Sequence, residues 1–162
     1  LGIIGLGSIG GTMAELAKGV GMKVIAYNRT PKKMKGVEIV SLDNLLKTSD
    51  AISLHTTHEE ANNNMISTKE LDKMKKGVII VNTVDRELVD EKAMAQALKS
   101  KKVDTYVYEG EDLIHTPLAK LENAIGFKGF AWYTKEALEN LYEIWVDNLS
   151  KLAKGKPQHM VN

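Results

Sequence analysis

Three glycines in six residues, Gly5-Leu6-Gly7-Ser8-Ile9-Gly10, follow an apolar run, Leu1-Gly2-Ile3-Ile4, and open a segment of helical pattern from Ser8 to Val20. Spacing of this kind does chemistry with the backbone. The first glycine permits a tight turn out of a strand, the second lets the main chain approach a pyrophosphate, and the third lets the helix lie close on the strand. The first amides of such a helix are unpaired and its dipole is positive there, so an anion is favoured. Strand, G-x-G-x-x-G and helix in that order predict a dinucleotide site carried by Gly5, Gly7, Ser8, Ile9 and Gly10.

A second set of polar residues decides which dinucleotide. The strand pattern Lys23–Asn28 runs into Asn28-Arg29-Thr30. Ligands of parallel sheets bind beyond the carboxyl ends of the strands. A carboxylate at this place would hold the ribose hydroxyls of NAD and repel a 2′-phosphate. An amide, a guanidinium and a hydroxyl instead predict NADP as the favoured cofactor, with NAD as the alternative. Only two of the 22 basic residues are arginine, Arg29 and Arg86, so each is read for its planar, bidentate chemistry. A polar turn before Pro31 is the plainer reading of the same residues. His55, Thr56 and Thr83, at or just beyond the ends of later strands, complete the predicted cofactor set.

The elements that must position these residues alternate along the chain. Further strand patterns lie at Val37–Val40, Ala51–His55, Gly77–Asn82, Val103–Tyr108 and Ala124–Phe127, and helical ones at Ser41–Lys47, Ser67–Met74, Asp90–Lys99 and Thr134–Ala153. Apolar strands alternating with amphipathic helices predict an α/β, Rossmann-type, doubly wound parallel sheet with helices on both faces. Residues 1–153 are expected to form that domain and 154–162 a C-terminal tail. Asp90 is the expected N-cap of its helix, with Ala93, Met94, Ala97 and Leu98 inward. The last helix carries Leu138, Leu141, Trp145, Leu149 and Leu152 on one face and should stop at Gly155 and Pro157. Packing on the sheet is the expected use of that stripe; a homodimer interface is the alternative. Glu59-Glu60-Ala61-Asn62-Asn63-Asn64 reads as a polar loop.

A chain of 162 residues with net charge +1 offers no electrostatic case for nucleic acid or an anionic membrane surface. Its apolar runs are strand-sized, far below a membrane span. The absence of cysteine excludes a thiolate nucleophile and suits a reducing, cytoplasmic compartment.

Beyond the glycine motif, Ser53-Leu54-His55, Met74-Lys75-Lys76-Gly77, Val81-Asn82-Thr83, Leu88-Val89-Asp90-Glu91 with Ala97-Leu98, Gly155-Lys156-Pro157 and Val161-Asn162 resemble the D-isomer-specific 2-hydroxyacid dehydrogenases. The resemblance covers nearly the whole chain and is to the coenzyme domain; the family's substrate domain is absent from these residues. It implies reduction of 2-oxo acids to 2-hydroxy acids, with an arginine on the substrate carboxylate, a histidine acid and a glutamate supporting the histidine. Carried onto this sequence, the arginine position holds Asp85, with Arg86 next to it as a substitute or an ion-pair partner. The supporting glutamate falls on Glu111, although Asp112 stands where proline is usual and Tyr106 where aspartate is usual. The histidine position is Gly129, followed by Phe130, Ala131, Trp132 and Tyr133, which could fill the substrate space. Arg86 and Glu111 are therefore the candidate catalytic residues. His55 is read as structural or cofactor-lining, His58 and His115 as exposed loop residues, and His159 as a solvated tail residue.

Two other readings remain open. One is a catalytically silent domain that binds NADP(H) for structure, sensing or assembly. The other is a β-hydroxyacid dehydrogenase-like NADP enzyme, which Met13-Ala14 and Asn28-Arg29-Thr30 resemble.

Overall fold

The computed structural model describes residues 1–30 and 32–160; Pro31 of the expected turn and the Val161-Asn162 end lie outside the described residues. The chain forms two compact units, Leu1–Lys128 and Gly129–Asn162.

In the first unit seven strands make one parallel sheet, in the order β3-β2-β1-β4-β5-β6-β7. They are β1 (Gly2–Ile4), β2 (Ile25–Tyr27), β3 (Glu38–Ile39), β4 (Ala51–Leu54), β5 (Val78–Asn82), β6 (Val103–Glu109) and β7 (Ala124–Phe127). The helices are α1 (Ser8–Gly19), α2 (Leu42–Thr48), α3 (Thr68–Lys73) and α4 (Glu91–Lys99). The expected doubly wound architecture is therefore the one that forms. The strand expected over Lys23–Asn28 is shorter because its ladder with Gly2–Ile4 extends only from Ile25 to Tyr27.

Successive side chains of a strand face opposite ways, and this divides the core. Ile3 joins a cluster with Leu6, Ala14 and Ala17 of α1, Val24 and Ala26. Ile4 joins a larger cluster with Leu45 and Leu46 of α2, Leu71 of α3 and Ala93, Met94 and Leu98 of α4. Both faces of the sheet are covered. The helices start on side-chain caps: Ser41 Oγ accepts the Asn44 N–H, and Asp90 Oδ1 accepts the N–H groups of Lys92 and Ala93. A reciprocal Ser67–Glu70 capping box opens α3. In α1, by contrast, Gly7 stands at the N-cap and no side chain caps the helix.

The second unit contains α5 (Lys135–Ala153), which Thr134 caps through the Ala137 N–H. It ends where Gly155 takes φ +67°, as the sequence predicts. The stripe expected to be core is not: no residue of α5 is buried, and Trp145, Leu149 and Leu152 are all more than half exposed. Helical spacing of apolar residues shows that a face favours cover, not what covers it. Phe130, Trp132 and Tyr133 are exposed as well. Among the described residues no helix is long and apolar enough to cross a membrane.

Candidate dinucleotide and redox site

The strand order reverses between β1 and β4, and the glycine loop leaves β1 at that switch point. Gly5 takes φ +97°, and a Cβ there would lie 2.6 Å from the main chain of His55. A Cβ on Gly10 would stand 2.0 Å from the Gly5 carbonyl oxygen, so only glycine lets α1 seat against the turn. Gly7 differs: its Cβ would meet nothing within 4 Å. Here uncapped main chain faces open space, with Ser8 and Ile9 exposed beside it in the first turn of α1. A phosphate group fits that cradle by charge and by shape.

Asn28, at the end of β2, stands where the sequence puts it but bonds differently. Its Oδ1 accepts the Leu6 N–H (2.8 Å) and its Nδ2 donates to the Thr30 carbonyl (2.6 Å). The amide expected to meet a phosphate instead ties the glycine loop to the second strand. Arg29 uses its fork on Glu59, with Nη1 3.0 Å from Oε2 and Nη2 3.1 Å from Oε1. That pairing holds the Glu59 carboxyl below its ordinary range. The segment read as a featureless polar loop thus contains the carboxylate that occupies Arg29, followed by a short 3₁₀ turn at Glu60–Asn62.

These residues share a cavity of about 590 Å³ lined by Gly5, Gly7, Asn28, Arg29, Thr30, His55, Thr56 and Glu59 among others. His55 fits the lining role. Its Nε2 lies 2.8 Å from Ser53 Oγ, while Nδ1 is buried with no hydrogen-bond partner among the described residues. Burial holds this ring below the usual histidine pKa, so it is neutral near pH 7.

A second cavity, about 650 Å³, shares Thr56 and Thr57 with the first and lies at the carboxyl ends of β4, β5 and β6. Thr83, Asp85, Arg86 and Glu111 line it. Arg86 is engaged: Nε donates to Glu91 Oε1 (2.7 Å), Nη2 pairs with the same carboxylate, Nη1 donates to the Asp112 carbonyl, and the guanidinium lies over the Tyr108 ring. Of the two roles the sequence allows Arg86, the ion pair is the one seen, and it is partly buried. Glu111 is exposed at the cavity wall, and Gly129 opens the second unit.

Sequence reading missed the support beneath this wall. Asn82 is fully buried; its Nδ2 donates to the Asp85 carbonyl and to the Tyr106 hydroxyl (both 3.2 Å), and its Oδ1 accepts the Val84 N–H. Tyr106 is buried and stacked on Tyr108, and burial pushes its hydroxyl above the ordinary tyrosine range. The unusual tyrosine at the family's aspartate position was the available signal. His58 is also a correction: it lines the second cavity with its side chain only 25% exposed, because Asn63 and Asp85 flank its ring. His115 is exposed as expected.

A doubly wound parallel sheet with a glycine turn at its switch point and an open phosphate cradle defines an NAD(P)-binding Rossmann domain. The chain belongs to the D-isomer-specific 2-hydroxyacid dehydrogenases: residues 1–126 match the family described as "D-isomer specific 2-hydroxyacid dehydrogenase, NAD binding domain". It is similar to the glyoxylate reductase of Thermococcus litoralis, at 39% identity over 100% of this chain and 51% of that protein. Among solved structures it resembles an acyclic imino acid reductase in complex with NADPH and D-Arg (TM-score 0.92, 33% identity, 99% of this chain and 53% of that one). It also resembles the NAD-complexed D-isomer-specific 2-hydroxyacid dehydrogenase of Lactobacillus delbrueckii ssp. bulgaricus (TM-score 0.90, 30% identity, 99% and 55%). The chain spans about half the length of the relatives it matches.

Proposed function

We propose that this chain is the NADP(H)-binding half of an oxidoreductase that interconverts small 2-oxo and 2-hydroxy acids. The observation that carries the reading is the joint wall of the first cavity: the open main chain at Gly7 on one side and the Arg29 fork, with no acid at position 28, on the other. Gly5, Gly7, Ser8, Ile9 and Gly10 hold the pyrophosphate, Arg29 and Thr30 take the 2′-phosphate, and Asn28 fixes the loop between them. His55 and Thr56 line the first cavity and Thr56 and Thr83 the second, and all three would face the bound dinucleotide. The bound dinucleotide supplies the reducing or oxidising equivalent. Calorimetric titration with NADPH and with NADH at matched salt tests the reading. Tight NADPH and weak NADH binding is the expected result; binding of neither overturns it.

A second reading, a dinucleotide-binding domain without turnover, is favoured by Asp85 at the expected arginine position and by the engagement of Arg86 with Glu91. Turnover of glyoxylate with NADPH by the whole protein would exclude it. We also propose that the exposed apolar face of α5 is covered by a second copy of the chain. Sedimentation velocity over a concentration series checks this, and a strictly monomeric chain refutes it.

A further inference from the structure

We propose that His58 is the proton-transferring residue of this redox site, with Nδ1 as the reacting nitrogen and Asp85 and Asn63 as its positioning residues. The inference rests on the dinucleotide-linked carbonyl chemistry proposed above. The family's histidine position is a glycine here, yet a histidine does line the cavity beside the dinucleotide cavity.

The hydrogen bonds fix which nitrogen is free. His58 Nε2 lies 2.5 Å from Asn63 Oδ1. An amide oxygen only accepts, so Nε2 carries a proton and donates it. The exchangeable position is therefore Nδ1, which faces Asp85 Oδ2 at 3.7 Å. That distance is too long for a direct hydrogen bond. It leaves Nδ1 open to a third group while the carboxylate stands beside it. Asp85 comes from the loop after β5 and His58 from the loop after β4, so both stand at the carboxyl ends of neighbouring strands. Glu87 completes the immediate charges, its carboxylate within 4.8 Å of the other two groups. Glu109, Glu111 and Asp112 line the same cavity, and the positive charge of Arg86 is offset by Glu91. A carboxylate at position 85 repels a substrate carboxylate; beside an imidazole it has a use.

In the reducing direction a bound reduced dinucleotide would supply the hydride that forms the new C–H bond at the carbonyl carbon. The π pair moves to oxygen, which takes the proton from Nδ1. The Nδ1–H bond breaks, an O–H bond forms, and His58 is left neutral, its Nε2–H still donating to Asn63 Oδ1. The dinucleotide would carry the two electrons in either direction, and the reverse direction returns the proton to Nδ1.

The test is ¹⁵N nuclear magnetic resonance of the imidazole rings in the labelled full chain, from about pH 5 to about pH 8. Expected is a neutral ring in the Nε2–H form, with Nδ1 as the nitrogen that gains and loses the proton. Asp85→Asn should move the Nδ1 resonance, Asn63→Ala should mix the tautomers, and added NADPH should perturb the ring. In the whole protein, His58→Gln should slow glyoxylate reduction by NADPH at least ~100-fold while calorimetric NADPH affinity stays within about threefold. A ring in the Nδ1–H form, or one indifferent to Asp85→Asn, overturns the proposal. So does Zn²⁺ binding at micromolar concentration that His58→Gln abolishes, since His58, Asp85 and Glu87 would then be metal ligands. Failure of NADPH to bind would instead defeat the cofactor reading, which His58 does not touch.

Discussion

Arg29 and Glu59 satisfy each other with two hydrogen bonds at the place where a 2′-phosphate would need the same fork. A phosphate must displace the carboxylate, so the two residues should affect NADPH in opposite directions. Arg29→Ala should weaken NADPH about 10–100-fold, the worth of one bidentate charged contact, with NADH nearly unchanged. Glu59→Gln should tighten NADPH several-fold. Calorimetry on both variants decides; equal losses for the two cofactors would sink the phosphate assignment. His55 gives a pH prediction at the same scale. Burial lowers its pKa in the folded chain, so the unfolded chain binds its proton more readily. That stability is complete above the ordinary histidine pKa and is lost as pH falls from there through the depressed folded value. Thermal midpoints should drop over that acidic window, and His55→Gln should flatten the drop. Asn28 stands where the sequence puts it but bonds Leu6 and Thr30 rather than a phosphate. The glycine turn was legible because its geometry is local to a few consecutive residues. Glu59, His58 and the Asn82–Tyr106 pair were not, because each acts through a partner brought in by the strand order.

At the scale of elements, α1 depends on two glycines for different reasons, and substitution separates them. Gly10→Ala places a methyl group 2.0 Å from the Gly5 carbonyl oxygen, so helix and turn must part. The expected cost is about 1–3 kcal/mol of stability together with loss of dinucleotide binding. Gly7→Ala meets no protein atom within 4 Å. Its denaturation midpoint should stay near that of the parent chain, within about 0.5 kcal/mol. NADPH affinity should nonetheless fall at least ~10-fold, because the methyl group stands where main chain and phosphate would meet. Urea denaturation and calorimetry on the same samples check the pair. Stability loss at Gly7 with binding intact would contradict the cradle. The elements themselves were readable because period and capping agreed. In α4, Asp90 caps the start and Ala93, Met94, Ala97 and Leu98 turn inward, as the pattern requires. The end of β2 was less readable, since pairing with Gly2–Ile4 sets its length and neighbouring strands are not visible in a local pattern.

For the whole molecule, the alternation of strands and helices was enough to specify a doubly wound sheet, because right-handed crossovers leave few other ways to cover both faces. The sequence suggests one domain over residues 1–153, and the chain forms two compact units, Leu1–Lys128 and Gly129–Asn162. Apolar periodicity in α5 looks the same whether the face packs on its own sheet or on another body. A shortened chain puts the two divisions in competition. Both core clusters lie entirely within Leu1–Lys128, and so do the residues lining the first and second cavities. Among the described residues, ending the chain after Lys128 therefore removes no member of either core cluster and no lining residue of either cavity. That chain should unfold in a single cooperative transition and bind NADPH within about threefold of the full chain. Loss of the exposed Trp145, Leu149 and Leu152 should also lower any self-association. If the shortened chain is unfolded, α5 contributes to the stability of the sheet domain and the boundary belongs after residue 153. A folded chain that no longer binds NADPH would mean that residues beyond Lys128 complete the cofactor site.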